Sequence, residues 1–390
     1  GVQAPGGVVL RTDVDGSSVQ LVAGGLRNAY DLTFNQLGDL FVQDSDLEAD
    51  QGMTWYRPPS LYHVTAGSEF GWRSGWAKWP EHFVDRLPSI LETGRGSPTG
   101  AIAYTHFMFP EKYHNSIFLA DWSSGRILSV RFKQHGSSYT TNSEVFLEGS
   151  PLNVTDLDVG PDGGLYFVTG GRGTRGAIYR VTWKGKVPSS VTDLGEGIAA
   201  AIRQPQLQSA WARQNIASLK REMGEDWDQR IESVTRSNQN PWYYRTRALD
   251  IMQLYGPPPS PDLLIELSEE ESELVRAKAV DLMGLHADET TKERLIELLD
   301  DPDRMVRRKV CEALLRATQT PPLESLLPIL ASDDRYESWA ARRLLERMPT
   351  ETWRDAILET DDHRIFVQGA LALMTSQPNN DNALAILQRF

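Results

Sequence analysis

Four carboxylates stand at every second position of one short stretch: Asp44, Asp46, Glu48 and Asp50. In an extended segment they share a face about 6–7 Å apart. Like charges at that spacing repel unless water or a cation compensates them, and all-oxygen donors suit calcium. The spacing is not that of an EF-hand, so a solvated acidic loop is the plainer alternative. Upstream, Arg27-Asn28 could clamp an anion through bidentate hydrogen bonds, or the arginine could simply close a turn. Downstream lie Tyr56, Arg57, Tyr62, His63, Trp72, Trp76 and Trp79. The three tryptophans could stack on a sugar or a flat cofactor, or pack over β-structure. His63 is the candidate general base, with a structural role as the alternative. No histidine pair has metal spacing, and no GxSxG, P-loop or dinucleotide fingerprint occurs. The Gly-rich run 170–176 joins two strands and opens no helix, which makes it a poor phosphate cradle.

These residues need a β framework. Tyr30–Phe34 alternates toward a turn at Asn35–Gly38, and Asp39–Val42 returns. Strand pairs with Gly turns recur in 101–132 and 154–183, the last containing Pro161-Asp162-Gly163-Gly164. Strand, turn, strand, Gly-rich loop and strand is the pattern of a propeller blade. About three blades and a partial one are expected, as an open arc with unpaired edges; a β-sandwich is the alternative. Composition changes near Lys186. Residues 1–186 hold 25 of the 31 glycines and 24 of the 35 aromatic residues, so turn-rich β sequence gives way to helix formers.

From Tyr244 a helical repeat appears. Val275-Arg276, Val306-Arg307 and Glu337-Ser338 open successive helices at offsets of 31 residues, each after an Asp-rich turn. Helix, Asp-Pro turn and a second helix opening on Val-Arg form a HEAT-type pattern. Leu264, Leu282, Leu298, Leu314 and Leu344 should share its core, and Arg276, Arg307 and Arg308 should form a structural ladder to acidic turn residues. The expected organisation is a partial β-propeller at 1–186, a linker with a helical segment at 187–243, and an α-solenoid at 244–390.

The 390 residues carry a net charge of −13, which disfavours nucleic acid as a partner. No apolar run reaches membrane-spanning length. Cys311 is the only cysteine, so neither an internal disulfide nor a CxxCH haem site can form within these residues.

The segments RNAYDLTF, GDLFVQDSDLEADQGMTWYRPP, HVTAGSEFGWRSGWAKWPE, ADWSSGRI and PDGGLYFVTGGRGTRGAIYRV resemble the glucose/sorbosone dehydrogenase propellers. The closer resemblance is to planctomycete-type membrane-bound dehydrogenase or haem-binding proteins, which continue into HEAT-like repeats and a cytochrome c module. The resemblance implies about half of a six-bladed propeller, periplasmic or otherwise exported, with pyrroloquinoline quinone and calcium as cofactors. It places Arg27 and Asn28 on a quinone-contacting pair, and Asp44 to Leu47 on a loop whose carbonyls help hold calcium. The resembling segments add Tyr56, Arg57, His63, Trp72, Asp121, Trp122 and Arg172 as cofactor-binding candidates. The family's early blades, which carry its catalytic histidine, and its haem module fall outside these residues, so the chain alone should be inactive. Two functions follow as expectations. One is part of a sugar or alcohol dehydrogenase that passes electrons to a c-type haem. The other is a non-catalytic scaffold whose propeller holds a sugar, polyol or cation and whose helical repeats hold a protein. The open strand edges imply missing blades or a partner chain as a further partner.

Overall fold

The computed structural model describes residues 6–49, 55–74 and 77–389, with the side chains of 190 and 191 set aside. The chain divides into two compact units. The first is formed by 1–82, 88–134 and 139–234, the second by 83–87, 135–138 and 235–390.

The first unit is built on four small sheets whose strands mostly run antiparallel. β1 (Gly7–Thr12) pairs with β2 (Val19–Leu26), which takes the short parallel β6 (Ser68–Glu69) on its other edge. The second sheet runs β3 (Leu32–Phe34), β4 (Leu40–Asp44), β5 (Ser60–Val64) and β7 (Leu91–Glu92). The third holds β8 (Pro98–Tyr104), β9 (Ser116–Asp121), β10 (Arg126–His135) and β11 (Ser138–Glu148). The fourth holds β12 (Val154–Val159), β13 (Leu165–Gly171) and β14 (Thr174–Val181). The hairpin expected from Tyr30 to Val42 forms with Leu32 opposite Val42 and Phe34 opposite Leu40. Gly38, at φ 83°, closes its turn in a conformation that β-branched residues avoid.

The innermost strands β3, β8 and β12 lie side by side in one direction, joined by side chains rather than a backbone ladder. Asp31 accepts from the Ala101 amide and Thr33 from the Ala103 amide, each at 2.9 Å, while Thr99 donates to the Val154 carbonyl. Tyr104, Phe109, Phe118, Ile127, Val154, Leu157 and Phe167 form a buried cluster between the third and fourth sheets.

The stretch expected as a linker contains α1 (Ser189–Thr192), α2 (Gly197–Arg203), α3 (Ala210–Met223), α4 (Asp226–Arg236) and the start of α5 (Trp242–Tyr255). It is ordered structure and not a tether. Ala201, Ala212, Ile216 and Trp227 are fully buried, and Trp211 Nε1 donates to the Val159 carbonyl.

The second unit continues through α6 (Pro261–Leu267), α7 (Glu273–Met283), α8 (Glu289–Glu297), α9 (Arg304–Ala317) and α10 (Leu323–Leu330). It then adds α11 (Arg335–Leu345), α12 (Arg354–Glu359), α13 (His363–Ser376) and α14 (Asn380–Leu387). Each Asp-rich turn has a local cause. Asp303, Asp334 and Asp362 are N-caps, and each carboxylate accepts two first-turn amides. The five leucines expected in the core are all buried. Arg276 grips Asp301 with two bonds of 2.8 and 3.0 Å, as a repeat-to-repeat ladder requires. Arg307 pairs with Glu337 at 2.6 Å and also donates to the Asp301 carbonyl. Arg308 departs from the ladder: it bonds Glu312 on its own helix and the Ser137 carbonyl.

Candidate functional site

Strand β4 ends at Asp44, opposite Ser60 on β5, and the chain then leaves the sheet. The ladder of β4 stops there, and beyond it an isolated antiparallel bridge joins Glu48 to Tyr56. Each described carboxylate meets its own cation. Asp44, fully buried, accepts the amides of Arg27 at 2.8 Å and Asn28 at 2.7 Å and pairs with Lys78 Nζ at 2.7 Å. Burial pulls the Lys78 pKa down, but the Tyr62 oxygen and the Asp44 carboxylate outweigh it and hold it above the ordinary lysine value. Lys78 also sits 4.1 Å from the Tyr62 ring centroid. Asp46 pairs with Arg57 at 3.3 Å and accepts the Lys78 amide, and Glu48 pairs with Arg27 at 3.5 Å. Arg27 also donates to Ser45, and the Leu47 carbonyl takes the Arg57 amide. Asp50 and Trp76 lie outside the described residues. Among the described residues no group of three or more His, Cys, Asp or Glu side chains is arranged to hold a metal. Lys78, Arg57 and Arg27 thus balance the charge of the three described carboxylates.

His63 is placed elsewhere. It pairs with Phe41 in register, three residues along the ladder from the Asp44–Ser60 pair and so about 10 Å away. Its ring is fully buried, stacked on Phe41 at 5.3 Å and edge-on to Tyr139, with Asp39 at 3.8 Å. That is a core histidine at the far end of the sheet, not a base on the loop face. Trp72 is held by its own amide to the Gly25 carbonyl. Trp79 lies under the Arg73 guanidinium, at 4.4 Å.

The remaining candidates gather at the end of the sheets where Asp44 sits. Asp121 closes β9, opposite both Pro98 and Arg126, so this end of the third sheet carries the N-terminus of β8. The Asp31 and Thr99 bonds align β3, β8 and β12 in one direction, which puts the loop after β13 at the same end. Asp121 accepts the Ser97 amide at 2.8 Å and pairs with Arg126 at 3.0 Å. The Trp122 indole donates to the Gly170 carbonyl at 2.7 Å, and its own carbonyl accepts from Asn153. The Arg172 guanidinium lies 5.4 Å over Trp122. Tyr56 contacts the backbone of Gly96 through its hydroxyl, and Arg95 lies 5.2 Å over the Tyr56 ring. Two aromatic rings, each carrying an exposed arginine without an acidic partner among the described residues, thus stand on one loop face. Sequence reasoning missed Lys78 and Arg95. A lone lysine inside the aromatic run Trp76–Trp79 was the available sign for the first; nothing local marks the second.

Residues 260–346 match the family model for HEAT repeats. No curated protein matches the chain. Among solved structures, the chain is similar to an oxidoreductase (glucose dehydrogenase) from Thermus thermophilus. That match has 18% identity and a TM-score of 0.34, and covers 41% of this chain and 46% of that one. It is also similar to the PQQ-bound aldose sugar dehydrogenase of Streptomyces coelicolor, with 19% identity and a TM-score of 0.33, covering 45% and 51%. The chain spans about half the length of these structures. Among the described residues no helix is long and apolar enough to cross a membrane.

Proposed function

We propose that the loop face of the first unit binds a planar, carboxylate-bearing molecule, and that pyrroloquinoline quinone, the cofactor implied by the sequence resemblance, is the ligand to test. The observation that carries this is the pair of arginine–aromatic stacks, Arg172 on Trp122 and Arg95 on Tyr56, whose guanidinium donors have no acidic partner among the described residues. A flat ring system can stack there while its carboxylates take the arginine N–H groups. When bound, such a quinone supplies two-electron oxidation chemistry. The chain's own residues would bind and orient it: Trp122 is locked by Gly170 and Asn153, and Asp121 holds the adjacent turn.

In this reading the chain is part of an exported quinoprotein-like sugar or alcohol dehydrogenase whose electrons pass to a haem carried elsewhere. With His63 sequestered in the core, these residues bind rather than turn over. The match to HEAT repeats favours a protein-docking role for the second unit, because such repeats present extended surfaces built from stacked helix pairs.

The test is titration of the full chain with the quinone, read by tryptophan fluorescence, with calcium and with chelator. Saturable quenching is expected, unchanged by calcium. Arg172→Ala and Trp122→Leu should each weaken it by about tenfold. Absence of saturable quenching, or an affinity in both variants equal to that of the unaltered chain, would overturn the proposal.

A further inference from the structure

The two arginine–aromatic stacks stand on one support. Arg95 lies in the turn after β7, and Trp122 in the turn after β9. The segments 93–97 and 121–126 are bonded to each other along their length. The Ser97 amide donates to Asp121 at 2.8 Å, and the Trp122 amide donates back to the Ser97 carbonyl at 2.9 Å. Asp121 is buried and also accepts the Ser124 amide at 3.2 Å, which closes its own turn. Ser124 Oγ donates to the Arg95 carbonyl at 3.0 Å.

Arg126 completes the joint. Its Nε pairs with Asp121 at 3.0 Å, while Nη2 donates to the Thr93 carbonyl at 2.7 Å and to the Arg95 carbonyl at 3.2 Å. A guanidinium suits this place because its donors form a fixed planar fork. Gly96 is buried against the same carboxylate, and a Cβ there would lie 2.2 Å from Asp121 Oδ2. The Tyr56 hydroxyl accepts the Gly96 amide at 3.0 Å, so the ring beneath Arg95 is anchored on this joint too. Trp122, next in the chain to Asp121, has two further anchors in Gly170 and Asn153. The Arg95 turn therefore leans on Arg126 more than the Trp122 ring does.

We propose that Arg126 is the positioning residue of the loop face. Through Asp121 and the Thr93 and Arg95 carbonyls it holds the Arg95–Tyr56 stack in place beside the Arg172–Trp122 stack before any ligand arrives. The role rests on the ligand reading above in one respect, that the ligand spans both stacks. Binding then does not have to order the Arg95 turn, and the affinity gained is that of preorganisation.

The test begins with the free chain. Arg126→Gln should speed amide exchange in a peptide covering 93–99 at least about tenfold and leave one covering 40–44 unchanged. Titration with pyrroloquinoline quinone follows, read by tryptophan fluorescence. Arg126→Gln should weaken binding about tenfold. In that background Arg95→Ala should add less than about twofold, although alone it costs about tenfold, whereas Arg172→Ala should keep its full effect. Arg126→Lys retains the charge beside Asp121 but not the fork, and should weaken binding as well. Gly96→Ala, which drives a methyl group into Asp121 from the other side, should reproduce the pattern of Arg126→Gln. An Arg126 that only stabilised the fold would lower the melting temperature and leave the Arg95→Ala effect at full size. That result, or unchanged exchange at 93–99, would overturn the proposal. Faster exchange at 93–99 in a chain that never binds the quinone would sink the quinone as ligand and leave the positioning role standing.

Discussion

The two units bury charge in opposite ways. In the helical unit the buried ions form a series. Arg245, Arg276 and Arg307 recur at 31-residue intervals and pair with Glu270, Asp301 and Glu337. Lys278 pairs with Asp250, and Arg316, one repeat on, with Asp281. Each ion pair bridges neighbouring repeats, so the loss of one leaves the others in place. In the β unit, Asp44 and Lys78 form an ion pair whose two side chains are both fully buried, unlike the part-exposed Asp121–Arg126 pair at the end of β9. The Asp44–Lys78 pair ties the end of β4, the Arg27-Asn28 turn and the loop before Trp79 into one point. A repeated device distributes its contribution; this joint concentrates it.

The first way to break that comparison is Lys78→Ala. It leaves Asp44 fully buried without its counter-ion, and breaking such a pair costs about 3–5 kcal/mol. A large fall in the denaturation midpoint of the β unit is expected, and a shift equal to that of a ladder variant would erase the distinction.

The second uses pH. His106 is buried, and desolvation pushes its pKa from 6.5 down to about 4. Its Nδ1 accepts the amides of Phe107 and Met108, which requires the neutral ring. The folded pKa lies below the unfolded one, so the contribution is fully present above about pH 6.5 and is lost as pH falls through 4. The full loss is about 3 kcal/mol, from 1.36 kcal/mol for each of the 2.5 units. Urea midpoints between pH 7 and 4 should fall less steeply in His106→Gln; parallel profiles would remove this role.

The smallest effect is expected from Arg307→Ala. It removes the bonds to Glu337 and to the Asp301 carbonyl, at a cost of about 2 kcal/mol, while Arg304 remains 4.0 Å from Glu337 to soften the loss. Thermal melts should show a modest shift with unchanged quinone quenching. A loss matching that of Lys78→Ala would show that the ladder is cooperative rather than distributed.

The helical unit was legible because its determinants are local and periodic. An N-cap aspartate, a 3.6-residue apolar stripe and a 31-residue offset are written side by side in the chain, and stacking reuses them. The hairpin of β3 and β4 was legible for the same reason, through alternation and a Gly turn. The partners of the alternating carboxylates were not legible, because Lys78, Arg57 and Arg27 reach them from elsewhere in the chain. What the sequence by itself determined was therefore the kind and order of elements: small sheets first, capped helix pairs after. Only the tertiary structure decided that Lys78 neutralises Asp44, that His63 turns into the core, and that Arg95 and Arg172 stand over rings on one face. Those outcomes depend on residues far apart in the chain meeting at a common strand end. Low-dielectric burial then selects which charges must pair, and no spacing in the sequence encodes that choice.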